Sequence, residues 1–433
     1  MIRRFLQDAL GESLKHFPVV LLTGARQVGK STLAQAMISK SWPARYLTLD
    51  DRTVLDAALR DPDALIGEAA EPIILDEVQR APDLLRAIKL AVDRNRTPGR
   101  FLLTGSANVL TLTRVSESLA GRVGLHTLFP FSWAEKKGRR PSSVLSLLFE
   151  SDTASHALRR LAVRRAGGRR EDLADEIMTG GFPPAFLMGS PDARREWFSA
   201  YRQTYLERDL FNIQAIEHVP DFNRLLTLAA ARTGRLLNMS DLARDVGLPF
   251  STLRRYIGIL ETTYQVFFVR PFYADIGKRL AKSPKIYFQD TGMAAFLAGF
   301  DTWSALERQG GAGAMVETWT AGELRKLIGV TDSRMQLYFW RTQTGQEVDL
   351  LVERAGRLVA FEVKWGSRVE DSTIRNLERC AADLKDALRL SVVLYGGREV
   401  LALGPHILAV PFNVIFGIVQ SQVRSIPRRF GEV

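Results

Sequence analysis

The sequence predicts an α/β protein with a parallel-sheet domain, a helical region and a second α/β domain. Three observations support this. Short apolar runs rich in branched residues, typical of buried parallel strands, alternate with helical segments over residues 1 to about 135. Helical patterns then dominate the middle of the chain, and two adjoining apolar strands return after residue 346. The 433 residues, 46% of them hydrophobic, are enough for several cores.

The segment from residue 24 to residue 31 carries the most specific motif. It runs Gly-Ala-Arg-Gln-Val-Gly-Lys-Ser and matches G-x-x-x-x-G-K-[ST], the phosphate-binding P-loop, at every fixed position. The apolar run 18–23 precedes it and a helix start follows it, so a plain glycine turn is the lesser alternative. Backbone N–H groups and the helix N-terminus of such a loop cradle phosphate oxygens. We expect ATP at Gly24, Ala25, Arg26, Gln27, Val28, Gly29, Lys30, Ser31 and Thr32.

Two acids follow the strand 72–75 and complete the expected chemistry. In this site Lys30 contacts the β- and γ-phosphates, and the Ser31 hydroxyl binds Mg²⁺. Phosphoryl transfer needs one acid near the metal and another that orients the attacking water. We assign Asp76 to the metal and Glu77 to the water. A buried strand that merely ends in solvated acids is the alternative interpretation.

A third strand, residues 101–104, ends in Gly-Ser-Ala-Asn, at the edge where open α/β sheets place ligand contacts. Ser106 and Asn108 are therefore candidates for contact with the γ-phosphate or the attacking water, unless this stretch is only a turn.

An arginine supplied by a neighbouring subunit can stabilise charge in phosphoryl transfer. Arg122 is the first candidate for that role and Arg114 the second, with a surface arginine as the alternative for each.

The order GARQVGKST, IILDEVQR, FLLTGSAN and SLAGR resembles bacterial and archaeal AAA-type ATPases that carry a C-terminal domain of unknown function. The resemblance continues in the segments 180–183 and 205–210 and covers nearly the whole chain. It implies an AAA+ ATPase that assembles into homo-oligomeric rings, with a hexamer favoured. It implies no particular biological role.

The net charge of +11 favours a polyanionic partner, most often nucleic acid. A single cysteine, Cys380, excludes an internal disulfide and fits a reducing cytoplasm, with association with the nucleoid as one option. The longest apolar stretch, 407–419, is too short to cross a bilayer, and we expect no membrane association. DNA is the expected partner, and a protein partner stays open.

We expect three domains: an ATPase domain over 1–170, a helical lid and winged-helix region over 171–300, and a nuclease-like domain over 301–433. Residues 136–170, rich in glycine and paired arginines, are expected to form a basic insertion or linker.

Residues 238–273 indicate a helix-turn-helix followed by a wing strand. We expect Ser240 to cap the first helix and 251–261 to form the second. Arg254 and Arg255, and with them Tyr256, should face outward, and the two arginines suit DNA. Such modules also serve as protein contacts or AAA lids.

The C-terminal part carries a second group of charged residues. Asp349 lies on a strand, and Glu362 and Lys364 alternate on the return strand, so that all three share one face. Acids that hold Mg²⁺ and a lysine that stabilises the phosphate suit phosphodiester cleavage. Glu317, on a predicted helix, is a candidate third acid. A cross-strand ion pair is the alternative.

The arrangement D-x₁₂-E-x-K is similar to PD-(D/E)xK nucleases of the restriction-endonuclease-like fold, although Val348 stands where the motif has proline. The leading hypothesis is an ATP-hydrolysing protein that processes or remodels DNA, by translocation or on branched DNA, and carries a nuclease-like domain. The alternatives are a nucleotide-switched regulator or defence effector that acts on a protein partner, and a Mg²⁺-dependent nuclease gated by ATP.

Overall fold

A computed structural model describes the chain over residues 2–67, 71–106, 119–161, 170–204, 216 and 218–418. It divides into two compact units. The first joins Met1–Gly138 to Leu173–Ser333, and the second joins Arg139–Asp172 to Arg334–Val433.

The first unit opens with the parallel sheet expected from the apolar runs. Its strands are β1 (Val19–Thr23), β2 (Arg45–Thr48), β3 (Ile73–Asp76), β4 (Phe101–Thr104) and β5 (Val123–Thr127). They lie in the order β2-β3-β4-β1-β5 and all pair in parallel. The carboxyl ends of β3, β4 and β1 are therefore neighbours, which brings the P-loop and the two acids to one edge. The α/β prediction is confirmed.

Helices pack against this sheet, and buried leucine, valine and isoleucine side chains from the strands and the helices form a shared core. The helices of this part are Leu6–His16, Lys30–Ala36, Arg52–Arg60, Pro62–Ile66, Leu84–Arg94 and Trp133–Lys136, with a 3₁₀ turn at Val78–Arg80. The helix after the P-loop ends at Ala36, and a bridge between Ser39 and Trp42 follows it.

The rest of the first unit is mainly helical. Its helices are Arg170–Thr179, Pro183–Leu187, Pro191–Tyr201, Val219–Ala231, Met239–Val246, Phe250–Thr262, Ile276–Ala281, Thr291–Leu297, Trp303–Arg308 and Ala312–Thr331. Three strands accompany them: β6 (Arg235–Leu236), β7 (Val266–Pro271) and β8 (Lys285–Phe288), with β8 antiparallel to both others.

Two details of the predicted helix-turn-helix need correction. Asn238, not Ser240, caps the first helix, because its side chain accepts hydrogen bonds from the backbone of Ser240 and Asp241. Tyr256 faces inward and is only 1% exposed, since its ring packs edge-on against Phe222. Arg254 and Arg255 are exposed as expected.

In the part of the chain that the structure describes, the second unit contains six strands: β9 (Gln336–Arg341), β10 (Glu347–Arg354), β11 (Arg357–Lys364), β12 (Leu388–Tyr395), β13 (Leu401–Ala402) and β14 (Ile407–Pro411). They lie in the order β13-β14-β12-β11-β10-β9. β9, β10 and β11 form an antiparallel meander, and β12 then runs parallel to β11 after a helix. The helices are Val144–Phe149, Ala154–Arg160, Asp371–Leu384 and Phe412–Ile415, with a 3₁₀ turn at Lys385–Ala387.

The division into units departs from the three consecutive segments expected at 1–170, 171–300 and 301–433. Most of the segment 136–170, expected as a basic insertion or linker, lies within residues 139–172 of the second unit, because Val144–Phe149 and Ala154–Arg160 pack on its strands. Ala312–Thr331 belongs to the first unit, where Trp319 packs against Trp133 with ring centres 5.5 Å apart. Within the described residues, no helix is both long and apolar enough to cross a membrane.

Candidate functional site

The P-loop connects β1 to the helix Lys30–Ala36 through two glycines with positive φ. Gly24 has φ +145°, and a Cβ atom there would lie 2.3 Å from the carbonyl oxygen of Leu128. Gly29 has φ +93° and directly precedes the helix. Because side chains are excluded at both positions, the backbone curls closely enough to surround a phosphate.

The side chain of Lys30 lies inside this loop and is only 4% exposed. Its Nζ donates to the carbonyl oxygens of Gly24 at 3.1 Å and Ala25 at 2.9 Å. Burial lowers the pKa of Lys30, and the nearby carboxylates of Glu77 and Asp76 oppose that shift. The ammonium group is thus held at the mouth of the loop, between its carbonyls and the two acids of β3.

Asp76 is the centre of a hydrogen-bond network at the end of β3. It is 3% exposed, and its Oδ1 accepts a hydrogen bond from Ser31 Oγ at 3.0 Å and another from the Thr104 hydroxyl. Its Oδ2 accepts from the Tyr46 hydroxyl at 2.8 Å. Burial, with the Asp76 contact second, raises the pKa of Tyr46 to about 12. The structure therefore brings together Ser31 and Asp76, the two residues predicted to hold Mg²⁺.

Glu77 follows in a left-handed backbone conformation, with φ +59°. Its N–H donates to Thr104 Oγ1 at 3.3 Å, which fixes the turn after β3. The amide nitrogen of Gln79 donates both to the Glu77 carboxylate and to Ser106 Oγ, the latter at 3.0 Å. Ser106 and Glu77 thus share Gln79 as a hydrogen-bond partner, at the sheet edge where the polar end of β4 was expected to contribute ligand contacts. Asn108 lies outside the described residues.

Three contacts of this site were not predicted from the sequence. Tyr46 and Gln79 hold the two acids, and the buried Arg4 donates from Nη1 to the P-loop carbonyl of Val28 at 2.8 Å. Arg4 also pairs with Glu135 at 3.1 Å. The position of Tyr46, a polar residue on a strand next to β3, could have indicated its contact with Asp76. No feature of the nearby sequence indicates the role of Arg4.

Arg122, the first candidate for an arginine acting across subunits, is engaged within its own unit. It pairs with Asp93 at 2.7 Å and donates from Nη1 to the carbonyl oxygen of Ala120 at 3.0 Å. This ion pair agrees with the alternative interpretation, in which Arg122 is a structural arginine of its own subunit. A role in the ATP site of a neighbouring subunit would require the ion pair to break. Arg114 lies outside the described residues.

The second charged group lies where β10 and β11 pair. The backbone N–H of Val363 donates to Asp349 Oδ2 at 2.7 Å, and Lys364 Nζ donates to Glu362 Oε1 at 2.8 Å. The register of the two strands, in which Leu350 pairs with Phe361, brings Asp349 opposite Glu362. The three predicted residues are therefore adjacent, as strand alternation requires.

Glu362 is unusually placed for a carboxylate because it is 5% exposed. Burial, and next the charge of Asp349, raises its pKa to about 7. For Lys364, burial acts downward, but the carboxylates of Glu362 and Asp349 outweigh it and raise the pKa. Within the described residues, Glu362 Oε2 has no hydrogen-bond donor. A buried carboxylate oxygen without a donor, beside a second carboxylate, suits a hard cation such as Mg²⁺.

Glu317, the expected third acid, has other partners. It belongs to the first unit, where its Oε1 accepts from Lys285 Nζ at 2.8 Å and from the Tyr287 hydroxyl at 2.6 Å. The described part of the chain contains no group of three or more histidine, cysteine, aspartate and glutamate residues placed to bind a metal ion. Any cation in the second unit would therefore rest on Asp349, Glu362 and further oxygen atoms from backbone, water or substrate.

Comparisons with known proteins assign the first domain. A family model described as an AAA domain matches residues 16–136. Two families described as domains of unknown function, DUF8612 and DUF4143, match residues 170–304 and 312–415. The chain is 36% identical over 414 residues to uncharacterized protein Rv2008c of Mycobacterium tuberculosis and, equally, to uncharacterized protein Mb2031c of Mycobacterium bovis. That alignment covers 95% of this chain and 84% of each relative.

Solved structures with some likeness are more distant. The Walker-type ATPase PABY2304 of Pyrococcus abyssi is 16% identical, with a TM-score of 0.43, over 69% of this chain and 96% of that one. DnaA of Aquifex aeolicus bound to AMPPCP is 12% identical, with a TM-score of 0.27, over 59% of this chain and 86% of that one. By its AAA domain and its identity to the mycobacterial relatives, the chain is an AAA-type P-loop ATPase and belongs to the same family as those two proteins.

Proposed function

We propose that this ATPase acts on DNA, and that its second unit cleaves phosphodiester bonds with the help of a divalent cation. The observation that carries the proposal is the buried Glu362, whose Oε2 lacks a donor within the described residues while Asp349 and Lys364 lie beside it. A purely structural ion pair between Glu362 and Lys364 would not require the second carboxylate of Asp349 beside it.

In this proposal Asp349 and Glu362 hold Mg²⁺, and Lys364 stabilises the charge that develops on the phosphate. Bound Mg²⁺ would supply a water of lowered pKa as the nucleophile. Lys364 Nζ, half exposed and already fixed by Glu362 Oε1 at 2.8 Å, can reach a phosphate without a rearrangement of β11. The meander β9-β10-β11 followed by a helix and the parallel strand β12 supports a restriction-endonuclease-like fold for this unit.

DNA is the polyanion best suited to the first unit. The chain carries a net charge of +11, and Arg254 and Arg255 are exposed on the helix Phe250–Thr262. The order of elements around this helix supports a winged helix: a helix, β6, two helices joined by a short turn, then the antiparallel pair β7 and β8. In such a module the second helix of the turn contacts DNA.

ATP hydrolysis would supply the motor or switch. Lys30 contacts the phosphates, Ser31 and Asp76 hold Mg²⁺, and Glu77 orients the attacking water. A ring of identical subunits, with a hexamer favoured, would provide an arginine across the interface, and Arg122 is the candidate among the described residues once its pair with Asp93 opens.

Plasmid nicking tests the nuclease part of the proposal. We expect Mg²⁺-dependent nicking by the wild type, its loss in Glu362→Gln and Lys364→Ala, and its retention in the control Glu378→Gln, an exposed acid of the same unit. Survival of nicking in Glu77→Gln would show that the cut does not require ATP hydrolysis, and would favour a Mg²⁺-dependent nuclease that ATP only gates. Equal nicking by wild type and Glu362→Gln would contradict the assignment.

DNA binding is measured separately, by fluorescence anisotropy with duplex, single-stranded and branched DNA. Failure to bind any of these at modest salt would contradict the proposal that this protein acts on DNA. The better proposal would then be that the protein is a nucleotide-switched regulator of a protein partner. In that case Lys364→Ala should leave its activity unchanged.

A further inference from the structure

The side chain of Gln79 connects two parts of the ATP site that lie apart in the sequence, the acid after β3 and the hydroxyl after β4. Gln79 lies on the 3₁₀ turn Val78–Arg80, directly after the acids of β3. Its Nε2 donates to Glu77 Oε2 and, at 3.0 Å, to Ser106 Oγ beyond the end of β4. A single amide group therefore joins the carboxylate expected to orient water to the hydroxyl expected near the γ-phosphate.

The orientation of this amide follows from chemistry. An ionised carboxylate only accepts hydrogen bonds, so the nitrogen of Gln79, and not its oxygen, must face Glu77. The amide oxygen is buried and has no donor within the described residues, so the contact is made through the nitrogen alone. Glu77 itself has φ +59° and is anchored by its N–H on Thr104. Backbone strain of this kind persists only where surrounding contacts hold it.

We propose that Gln79 is a positioning residue for ATP hydrolysis, which fixes the Glu77 carboxylate relative to Ser106 so that both meet the attacking water and the γ-phosphate in one geometry. This rests on the proposed role of Glu77. A misplaced general base can cost a large part of the rate even when substrate binds normally. The charged group beside Glu77 is Lys30, because the carboxylates of Glu77 and Asp76 both oppose the lowering of its pKa by burial.

Gln79→Ala and Gln79→Glu test this inference in the full-length protein with Mg²⁺ and ATP. We expect kcat to fall about 10- to 100-fold in Gln79→Ala while KM and the affinity for a fluorescent ATP analogue stay within about twofold. Gln309→Ala, an exposed glutamine of the same unit, serves as the matched control and should retain wild-type turnover. An unchanged kcat in Gln79→Ala would overturn the inference, and so would an equal loss of analogue binding, which indicates a merely structural role.

Gln79→Glu keeps the shape of the side chain and replaces the donor by an acceptor. Two carboxylates that face each other repel, so Glu77 loses both its donor and its position, and we expect kcat to fall at least as far as in Gln79→Ala while KM stays within about twofold. Wild-type kcat in this variant would overturn the inference. The glutamate variant also keeps the test valid if Gln79→Ala folds poorly.

A double-mutant cycle with Ser106→Ala separates the bridge from two independent effects. If Gln79 works through both contacts, the loss of kcat in the double variant is smaller than the product of the single losses. Independent, multiplicative losses would contradict the bridge. Glu77→Gln keeps the two proposals distinguishable: if it retains turnover, the role of Glu77 fails, whereas an inactive Glu77→Gln beside a fully active Gln79→Ala refutes only the inference about Gln79.

Discussion

Replacement of Glu362 by glutamine should remove a pH-dependent loss of stability from the second unit. Burial, followed by the charge of Asp349, raises the pKa of this carboxyl from 4.5 to about 7. The folded protein thus keeps the proton to a higher pH than the unfolded chain does. The corresponding contribution to stability is fully present below pH 4.5 and is lost as the pH rises through about 7.

The magnitude follows from the two values. At about 1.36 kcal/mol for each pKa unit, the difference between 4.5 and about 7 corresponds to about 3 kcal/mol. Glutamine removes this cost, because it stays neutral at every pH. Lys364 opposes the rise of this pKa, so its attraction for the ionised carboxylate is already part of the difference. At alkaline pH we therefore expect the variant to be more stable than the wild type by about 3 kcal/mol at most.

Hydrogen exchange read by mass spectrometry measures this locally, since peptides that cover β10, β11 and β12 report the opening of the second unit. The opening free energy of the wild type should fall between about pH 5 and pH 8.5, and that of Glu362→Gln should change much less. Glu378→Gln, an exposed acid, is the control and should follow the wild type. An opening free energy that changes equally with pH in the wild type and in Glu362→Gln would contradict the raised pKa of the buried Glu362 carboxyl.

Three further predictions concern the first unit. Tyr46→Phe removes a 2.8 Å hydrogen bond to Asp76, so thermal unfolding with Mg²⁺ and ATP should show a loss of about 1.5 to 3 kcal/mol, and no change would contradict the network. Gly24→Ala places a Cβ atom 2.3 Å from the carbonyl of Leu128, so binding of a fluorescent ATP analogue should be abolished, and normal binding would show that the loop can adjust. Arg254→Ala should weaken DNA binding and lower the salt slope by about 1, whereas an unchanged slope would remove this residue from the interface.

Much of the ATP site was predictable because its signals are local. The P-loop spacing, the acids after β3 and the polar end of β4 each lie within a few residues of a recognisable strand. Parallel strands then bring their carboxyl ends together, so the contact of Ser31 with Asp76 and the closeness of Ser106 to Glu77 follow from the fold class. Asp349 and Glu362 were predictable for a similar reason, since strand alternation and the hairpin place them together.

The contacts that hold the site were less accessible. Arg4 reaches Val28 and Glu135, which lie 24 and 131 residues away along the chain. Tyr46 reaches Asp76 only because β2 and β3 are neighbours, an order that periodicity alone does not specify. The extent of the second unit was not predictable for the same physical reason: short helices within 139–172 pack against strands that come more than two hundred residues later.

We propose that the site around Lys30, Asp76 and Glu77 hydrolyses ATP in a manner governed by DNA. The decisive measurement is steady-state ATP turnover with and without duplex DNA, for wild type and Lys30→Ala. We expect Mg²⁺-dependent hydrolysis that DNA accelerates and that Lys30→Ala abolishes without loss of folding. Undiminished hydrolysis in Lys30→Ala would contradict the site, and wild-type turnover indifferent to DNA would contradict the proposed function.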